Sequence, residues 1–292
     1  MFSAGFKKTI EQRISAYAGK NIIITSQSYV GGGCINYALS LQTNAGIFFL
    51  KMNDASRYPR MFETEAKGLK ILKSAKAIGV PEVIAFGESE GRAFIILEHI
   101  ASSPRCKNFW ENFGYALATL HCNFHAQFGL DHDNYIGSLP QSNTFHNDWF
   151  SFFIEERLQK QVQRAYHANK ISVNHVKQFE SVFHRLENFF PAEKPSLLHG
   201  DLWSGNVMTG DEGEACLIDP AVYYGHREAE LAFTTLFGGF DERFYTSYNE
   251  ALPLQPGFEK RKDVYNLYPL LVHVNLFGGG YLPSVERILR RF

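Results

Sequence analysis

Residues 199–206 read His-Gly-Asp-Leu-Trp-Ser-Gly-Asn, which is the most informative motif of the sequence. Asp201 and Asn206 lie five residues apart in a polar loop between short apolar stretches. Two short strands, at 207–209 and 215–218, are predicted to follow as a hairpin, and the second runs into Asp219. Because a hairpin brings its two ends together, we expect Asn206 and Asp219 to be neighbours.

The side chains at these three positions suit one kind of chemistry. The amide oxygen of Asn206 and the carboxylate of Asp219 are hard oxygen ligands, which Mg²⁺ prefers. Asp201 is then available to accept a proton from a nucleophile, and this combination is typical of a phosphoryl-transfer loop. The D-x-x-x-x-N spacing alone is common, because Asp and Asn often cap turns. The functional interpretation rests on the whole string through Asp219, with a strand on each side.

A glycine run upstream is a candidate phosphate site. Gly31, Gly32 and Gly33 lie between predicted strands at 22–30 and 35–42. Such a hairpin can present backbone N–H groups to a triphosphate, although three glycines also make an ordinary permissive turn.

Lys51 ends a third predicted strand, at 47–52, on a face that is otherwise apolar, so it needs a partner. The helix predicted at 59–78 offers two glutamates. Glu65 shares the apolar face of that helix, whereas Glu63 lies four residues before Lys67 and forms an ordinary surface pair. We therefore predict a Lys51–Glu65 pair; the alternative is two solvated surface charges.

Residues 1–100 are predicted to be rich in β-structure with one helix, and residues 101–292 to be mainly helical. This pattern predicts an α+β fold with two lobes, and together with the phosphoryl-transfer loop it predicts a protein-kinase-like fold. The N-terminal lobe would bind nucleotide on an antiparallel sheet, and the C-terminal lobe would carry the catalytic loop and the acceptor site. The strand at 93–98 would lead into a hinge whose backbone binds adenine, with the candidates Leu97, Glu98, His99 and Ile100.

Composition excludes several classes of protein. The 292 residues carry 29 basic and 30 acidic side chains, so no global field favours nucleic acid. The four cysteines are scattered without a C-x-x-C pair, which argues against zinc and against a disulfide framework. No apolar run approaches a membrane span, and no signal peptide is evident. We expect a cytoplasmic protein that is a monomer or a weak dimer.

The chain resembles the fructosamine (ketosamine) 3-kinase family, which belongs with the aminoglycoside and choline phosphotransferases in the protein-kinase-like superfamily. The resemblance covers nearly the whole chain, and Leu-His-Gly-Asp-Leu-Trp-Ser-Gly-Asn at 198–206 is its most specific motif. Further matches are Gly-Gly-Gly-Cys-Ile-Asn at 31–36, Trp-Phe-Ser-Phe-Phe-Ile-Glu-Glu-Arg-Leu at 149–158 and Ile-Asp-Pro-Ala-Val-Tyr-Tyr-Gly-His-Arg-Glu at 218–228. Two positions depart from the usual aspartates of that family, His226 and Glu230, and these departures could loosen the loop behind the metal site or alter substrate preference.

The resemblance implies specific roles. Asp201 would be the catalytic base, Asn206 and Asp219 would bind Mg²⁺, and Lys51, oriented by Glu65, would hold the phosphates of ATP. The acceptor would be the 3-hydroxyl of a small or protein-attached ketosamine, such as glycated lysine. Its phosphorylated adduct is unstable, so such enzymes are regarded as protein repair enzymes.

Several other side chains have both a functional and a structural interpretation. Trp203 could stack on a sugar face, whereas Trp149 is better explained by core packing. Cys34 could be a redox switch or simply a small residue in a hairpin. Arg157 could reach the acceptor pocket or lie on a helix surface. The histidines His121, His125 and His273 are interpreted as ordinary helix residues, and His199 as a brace for the catalytic loop.

Two alternative functions remain open at this point. One is a kinase for another small alcohol, such as an aminoglycoside or choline. The other is a non-catalytic ATP-binding protein. The segment between Asp219 and Glu228 is short and leaves no room for the long activation segment that docks a polypeptide, which favours a small or tethered acceptor.

Overall fold

The computed structural model describes residues 2–31 and 36–292. Its contacts divide the chain into two compact units, Met1–Cys106 with Met208–Ile218, and Lys107–Val207 with Asp219–Phe292. The segment 208–218 thus packs with the N-terminal residues, although it follows the 199–206 loop along the chain. That residues 1–100 form the nucleotide-binding lobe stays a prediction.

The first unit is built on a five-stranded antiparallel sheet in the order β1-β2-β3-β5-β4. The three-stranded meander predicted from the sequence forms its first part. The strands are β1 (Ile24–Tyr29), β2 (Tyr37–Thr43), β3 (Gly46–Asp54), β4 (Val83–Ser89) and β5 (Arg92–Glu98), and the helices of this unit are α1 (Ala4–Ala18) and α2 (Met61–Ser74).

Helix α1 covers the core of the first unit. The side chain of Ser3 accepts a hydrogen bond from the N–H of Phe6 and caps the start of the helix, and Gly19 ends it with φ of 66°. Ile10 and Ile14 are fully buried and pack with Leu41 and other apolar residues of the sheet. The apolar face of the helix therefore supplies one wall of this core.

Helix α2 is shorter than predicted. It begins at Met61, after Arg60 in a left-handed conformation, and ends at Ser74 rather than near residue 78. Phe62, Leu69 and Leu72 form its buried stripe, as the helical spacing predicts.

The second unit is mainly helical. Its helices are α3 (Phe109–His121), α4 (Trp149–Phe152), a π-helix (Phe153–Gln159), α5 (Lys160–His167), α6 (Val173–Arg185), α7 (Arg227–Thr234), α8 (Glu242–Ala251), α9 (Phe258–Phe277) and α10 (Leu282–Leu289). Two antiparallel pairs of short strands accompany them, β6 (Asn134–Ile136) with β7 (Leu139–Gln141) and β8 (Ser196–Leu198) with β11 (Tyr223–Gly225). Among the described residues, no helix has both the length and the apolar character required to cross a membrane.

The predicted hairpin after the 199–206 loop is present. Strand β9 (Val207–Thr209) pairs with β10 (Ala215–Leu217), and the N–H of Gly210 donates to the carbonyl of Glu214 at 2.8 Å. The pairing carries the chain from Asn206 through a tight turn and back to Asp219. Residues 147–167 have helical periodicity in the sequence, but the structure places a π-helical turn at Phe153–Gln159, which periodicity alone does not reveal.

Candidate active site

The loop at 199–206 leaves strand β8 through a backbone turn that only glycine can make. Gly200 has φ of +84°, and a Cβ atom there would lie 2.0 Å from the carbonyl oxygen of Ala221. The N–H of Ala221 also donates to the carbonyl of His199 at 2.9 Å. This close approach of two backbone segments fixes where Asp201 leaves the turn.

Asn206 holds Asp201 by two hydrogen bonds. Its Nδ2 donates to the backbone carbonyl of Asp201 at 2.8 Å and to the carboxylate Oδ2 at 3.0 Å. Asn206 is buried and Asp201 is half-buried, so these two hydrogen bonds hold the carboxyl group in a fixed position. The amide nitrogen is occupied in this way, which leaves the amide oxygen of Asn206 as the atom that can bind a cation.

The environment of Asp201 favours proton acceptance near neutral pH. Burial raises the pKa of its carboxyl group to about 7, the hydrogen bond from Asn206 opposes that rise, and the charges of Asp219 and Glu230 add to it. A general base works best when its pKa is close to the working pH.

Glu230 anchors the 199–206 loop by hydrogen bonds to its backbone. Its carboxylate accepts the N–H of Gly200 at 2.7 Å and the N–H of His199 at 3.2 Å. It also contacts Nε2 of His121 at 2.9 Å, and Nδ1 of His121 contacts the hydroxyl of Tyr248 at 2.7 Å. The expectation that Glu230 could loosen the loop is therefore wrong, because the longer glutamate reaches two backbone donors of the loop at once.

The charge of Glu230 is maintained by its neighbours. Burial acts to raise its pKa, but the hydrogen bond and charge of His121, the charge of His199 and the N–H of Gly200 together lower that pKa below the ordinary value. A buried carboxylate with several donors of this kind stays ionised.

Asp219 follows the hairpin with a backbone φ of 57°, which is rare for a residue other than glycine. Its charge contributes to the raised pKa of Asp201, so the two carboxyl groups lie close enough to repel each other. A divalent cation would relieve that repulsion. The carboxylate of Asp219 and the amide oxygen of Asn206 are the hard donors that Mg²⁺ takes, so the residues present fit this ion.

In the first unit, Lys51 and Glu65 form the ion pair predicted from the sequence. Nζ of Lys51 lies 2.7 Å from Oε1 of Glu65, and both side chains are largely buried. Glu63 instead pairs with Lys67 at 2.9 Å and with Arg60 at 2.9 Å on the helix surface. The choice between the two glutamates is therefore confirmed, while the role of the Lys51–Glu65 pair in binding phosphate stays a prediction.

The remaining nucleotide-site candidates are only partly described. Gly31 is exposed in the connection between β1 and β2. Gly32, Gly33 and Cys34 lie outside the described residues, so their predicted roles are not tested.

At the predicted hinge, Leu97 and Glu98 belong to β5. The N–H of Glu98 donates to the carbonyl of Glu82 at 2.9 Å. His99 and Ile100 follow the strand, half-buried. Their contact with adenine stays a prediction.

Trp203, in the 199–206 loop, contacts a group of aromatic side chains. Its ring meets the ring of Phe237 edge-on at 6.0 Å between centroids, and Phe237 lies 4.6 Å from the ring of His273. We use the name aromatic patch for Trp203, Phe237, His273, Phe277 and Tyr281. Trp203 is more than a third exposed, so part of this aromatic surface is open to solvent, two residues after Asp201 in the chain.

The interpretations of three histidines and of Arg157 need correction, and that of Trp149 is confirmed. His121 and His273 are not ordinary helix residues, because the first holds Glu230 and the second belongs to the aromatic patch. His125 is not in a helix, because α3 ends at His121, and its ring stacks on those of Phe145 and Tyr224. Arg157 is fully buried rather than on a helix surface, and it donates to Oδ1 of Asn143 at 2.8 Å. Trp149 is a core residue, as expected. The helical period alone could not separate these histidines from solvated ones.

Comparison with known proteins identifies the family and the fold. A probable ketoamine kinase of Synechocystis is 39% identical over 97% of this chain and 96% of its own length. The chloroplastic protein-ribulosamine 3-kinase of Arabidopsis thaliana is 42% identical over 93% of this chain and 83% of its own. A candidate fructosamine-3-kinase of Haemophilus somnus superposes with a TM-score of 0.90 at 30% identity, over 99% of both chains.

An aminoglycoside phosphotransferase solved with AMP-PNP and hygromycin B superposes with a TM-score of 0.64 at 15% identity, over 97% of this chain and 98% of that one, which shows the kinase-like fold. A sequence model of fructosamine kinase matches residues 6–292. From the match over nearly the whole chain, together with the relatives at about 40% identity, it follows that this protein belongs to the fructosamine kinase family.

Proposed function

We propose that this protein is a ketosamine kinase, which transfers the γ-phosphoryl group of ATP to the 3-hydroxyl of a ketose joined to an amine. The observation that carries the proposal is the pair of hydrogen bonds from Asn206 to Asp201, at 2.8 and 3.0 Å, which fixes a carboxyl group in the catalytic loop. The relatives named as ketoamine and ribulosamine kinases support the acceptor class.

In the proposed reaction Asp201 is the general base. The acceptor oxygen attacks the γ-phosphorus as its proton passes to the carboxylate of Asp201. The bond from that phosphorus to the bridging oxygen breaks, and ADP leaves with the electron pair. Such a base contributes about 10² to 10⁴-fold to the rate, and the rest comes from positioning and from electrostatic stabilisation of a loose transition state.

Positive charge is required around the transferred group. Lys51, oriented by Glu65, would hold phosphate oxygens of ATP. Asn206 and Asp219 would hold Mg²⁺, which when bound neutralises the charge that develops on the phosphoryl oxygens. Among these residues, Asn206 has the double task of orienting Asp201 through its nitrogen and offering its oxygen to the cation.

We propose that the aromatic patch receives the sugar. An aromatic ring stacks well on the C–H face of a sugar. Trp203 lies two residues after Asp201 in the chain, and its side chain is more than a third exposed. His273 adds a polar group. Its Nδ1–H donates to the carbonyl of Pro269 at 2.7 Å, and burial lowers the pKa of this imidazole. The neutral ring therefore offers Nε2 as an acceptor for a sugar hydroxyl.

We further propose that the enzyme repairs glycated amines, because its product breaks down. A 3-phosphorylated ketosamine is unstable and releases the amine, so the kinase would remove sugar from glycated lysine side chains or from small amines. The preference between fructosamine and ribulosamine would then be set by how the sugar ring fits against Trp203 and Phe237.

The proposal is tested by offering one enzyme preparation several acceptors. Purified protein is incubated with Mg²⁺ and ATP together with a synthetic fructosamine, a ribulosamine, an aminoglycoside or choline, and the products are read by mass spectrometry. We expect a single phosphoryl group on one or both ketosamines only. Transfer to the aminoglycoside or choline, with none to either ketosamine, would contradict the proposed acceptor class.

A further inference from the structure

Three side chains away from the catalytic loop come together in the second unit. His146, Glu155 and Glu156 each offer one ligand atom, and these atoms lie within 4.8 Å of one another. His146 is held by the backbone, because it exchanges two 2.9 Å hydrogen bonds with Phe128. The two glutamates come from the π-helix Phe153–Gln159.

Both glutamates lie at consecutive positions of the π-helix, and their ligand atoms lie within 4.8 Å of each other and of the ligand atom of His146. A π-helical turn is wider, rare, and found preferentially at functional sites. Here it carries Glu155 at the surface and Glu156 in the interior.

Glu156 has a carboxyl group whose bonding is incomplete. The residue is only 7% exposed, and its Oε1 lies 3.4 Å from Nε2 of His146, a long contact. Its other oxygen, Oε2, is buried and has no hydrogen-bond partner among the described residues. Burial of a polar atom without a partner is costly, and nearly all such atoms in proteins are satisfied. The missing partner of Glu156 therefore points to a ligand.

We propose that His146, Glu155 and Glu156 bind a divalent transition-metal ion of the Zn²⁺ class at a site that shares no residue with the catalytic loop. One imidazole and two carboxylates are ligands that Zn²⁺ accepts, and the imidazole disfavours Mg²⁺ and Ca²⁺. Ligand bonds of about 2.0–2.2 Å place ligand atoms about 3.4 Å apart in a tetrahedral site. The ligand atoms now lie within 4.8 Å of one another, and the exposed side chain of Glu155 is free to rotate inward to the shorter spacing of a bound ion.

The ion would connect two segments that the protein already ties at one point. Arg157, the next residue of the π-helix, donates to the carbonyl of Ser142 at 2.5 Å and to Oδ1 of Asn143 at 2.8 Å. A metal bound at His146 would tie the same 142–146 segment to the same helix a second time. Its role would be to stabilise this region, so the effect to measure is binding and thermal stability rather than turnover.

The test uses the whole protein after treatment with a chelator, in excess Mg²⁺ so that the ligands Asn206 and Asp219 are engaged. Zn²⁺ binding is measured by calorimetry, Co²⁺ binding by its visible absorption spectrum, and the thermal midpoint with and without Zn²⁺. The wild type should bind about one equivalent, and Zn²⁺ should raise its midpoint. Glu156→Gln and His146→Gln should each lower the affinity at least about tenfold.

Glu286→Gln is the matched control. His175 and Glu286 form another imidazole–carboxylate contact, at 3.1 Å. Among the described residues, no third potential metal ligand groups with this pair, unlike with His146 and Glu156. This variant should keep the Zn²⁺ affinity of the wild type. If Glu156→Gln fails to fold, His146→Gln and the Co²⁺ spectrum of the wild type decide the question.

Two results would overturn the proposal. One is a folded wild-type protein that takes up no Zn²⁺ or Co²⁺ at micromolar concentration. The other is binding that is equally strong in the wild type and in His146→Gln.

Discussion

The carboxylate of Glu230 accepts a hydrogen bond from the backbone N–H of Gly200 at 2.7 Å, one residue before Asp201 in the chain. The same carboxylate contacts the N–H of His199 and the imidazole of His121. Three donors thus converge on one buried group in helix α7, so the orientation of the 199–206 loop depends on Glu230.

Glu230→Gln should lower kcat by about 10 to 10²-fold, because a small displacement of a positioned base has an effect of that size. A glutamine has one acceptor oxygen where the carboxylate has two, so one backbone donor would face an amide N–H₂. The KM for ATP should stay within about twofold, since Glu230 positions Asp201 rather than phosphate. Steady-state kinetics, at a temperature where the variant is folded, measure kcat and the KM for ATP separately. Glu230→Asp keeps the charge and should be less affected, and equal losses in both variants would contradict the charge argument.

The Lys51–Glu65 pair gives a second prediction. Glu65→Gln removes the charge that orients Lys51, so kcat/KM for ATP should fall by about 10 to 10²-fold. Glu63→Gln is the matched control, because Glu63 lies two residues away on the same helix and pairs only with the exposed Lys67 and Arg60 among the contacts described. This control should change activity less than about twofold, as expected for a surface pair. A loss in Glu63→Gln as large as that in Glu65→Gln would contradict the assignment.

The turn at Gly200 can be tested by stability. Gly200→Ala should destabilise the fold strongly, because its Cβ would lie 2.0 Å from a backbone oxygen and the residue has φ of +84°. Gly238→Ala separates the two effects, since Gly238 has φ of +94° with no atom within 4 Å of the added Cβ. The positive φ alone costs about 1–2 kcal/mol. Urea unfolding should show a clearly larger loss for Gly200→Ala, and equal losses would mean that the backbone contact is not as tight as described.

His226 should make the protein sensitive to acid. Burial lowers the pKa of His226 to about 3, the hydrogen bond to the carbonyl of Pro191 opposes this, and the charges of Arg227 and Arg261 add to the lowering. The unfolded chain binds a proton at this residue below its ordinary pKa of about 6.5, and the folded protein does not. The contribution of His226 to stability is therefore full above pH 6.5 and is lost progressively as the pH falls, by up to about 1.4 kcal/mol per pH unit.

This dependence is measured by the free energy of unfolding between pH 7 and pH 4 in the wild type and in His226→Gln. We expect a steeper decline in the wild type. Parallel curves would show that His226 does not remain neutral in the folded protein.

The sequence predicted what depends on local periodicity. The alternation along β3 and the helical spacing in α2 selected Glu65 over Glu63 as the partner of Lys51, and the structure confirms that pair. Both patterns act over a few residues, where side-chain direction follows directly from the backbone. The glycine-containing motif likewise identified the loop around Asp201.

Strand alternation and helical spacing could not predict contacts between residues that are far apart in the chain. His121 and Glu230 are 109 residues apart in the chain and meet only in the folded protein, where helices α3 and α7 both contact strand β8. Arg157 resembles a surface residue by charge, yet it is fully buried, with its guanidinium 4.0 Å from the ring centroid of Tyr223. The π-helical turn beside it breaks the helical period, so no periodic pattern could reveal it.

The role of Asp201 as the base is tested most directly by comparing wild type with Asp201→Asn in a ketosamine phosphorylation assay, with ATP binding measured on the same samples. We expect the variant to bind ATP as the wild type does and to lose at least about 10²-fold in kcat, because it cannot accept the proton. A variant that phosphorylates the ketosamine at the wild-type rate would contradict the assignment of Asp201 as the base.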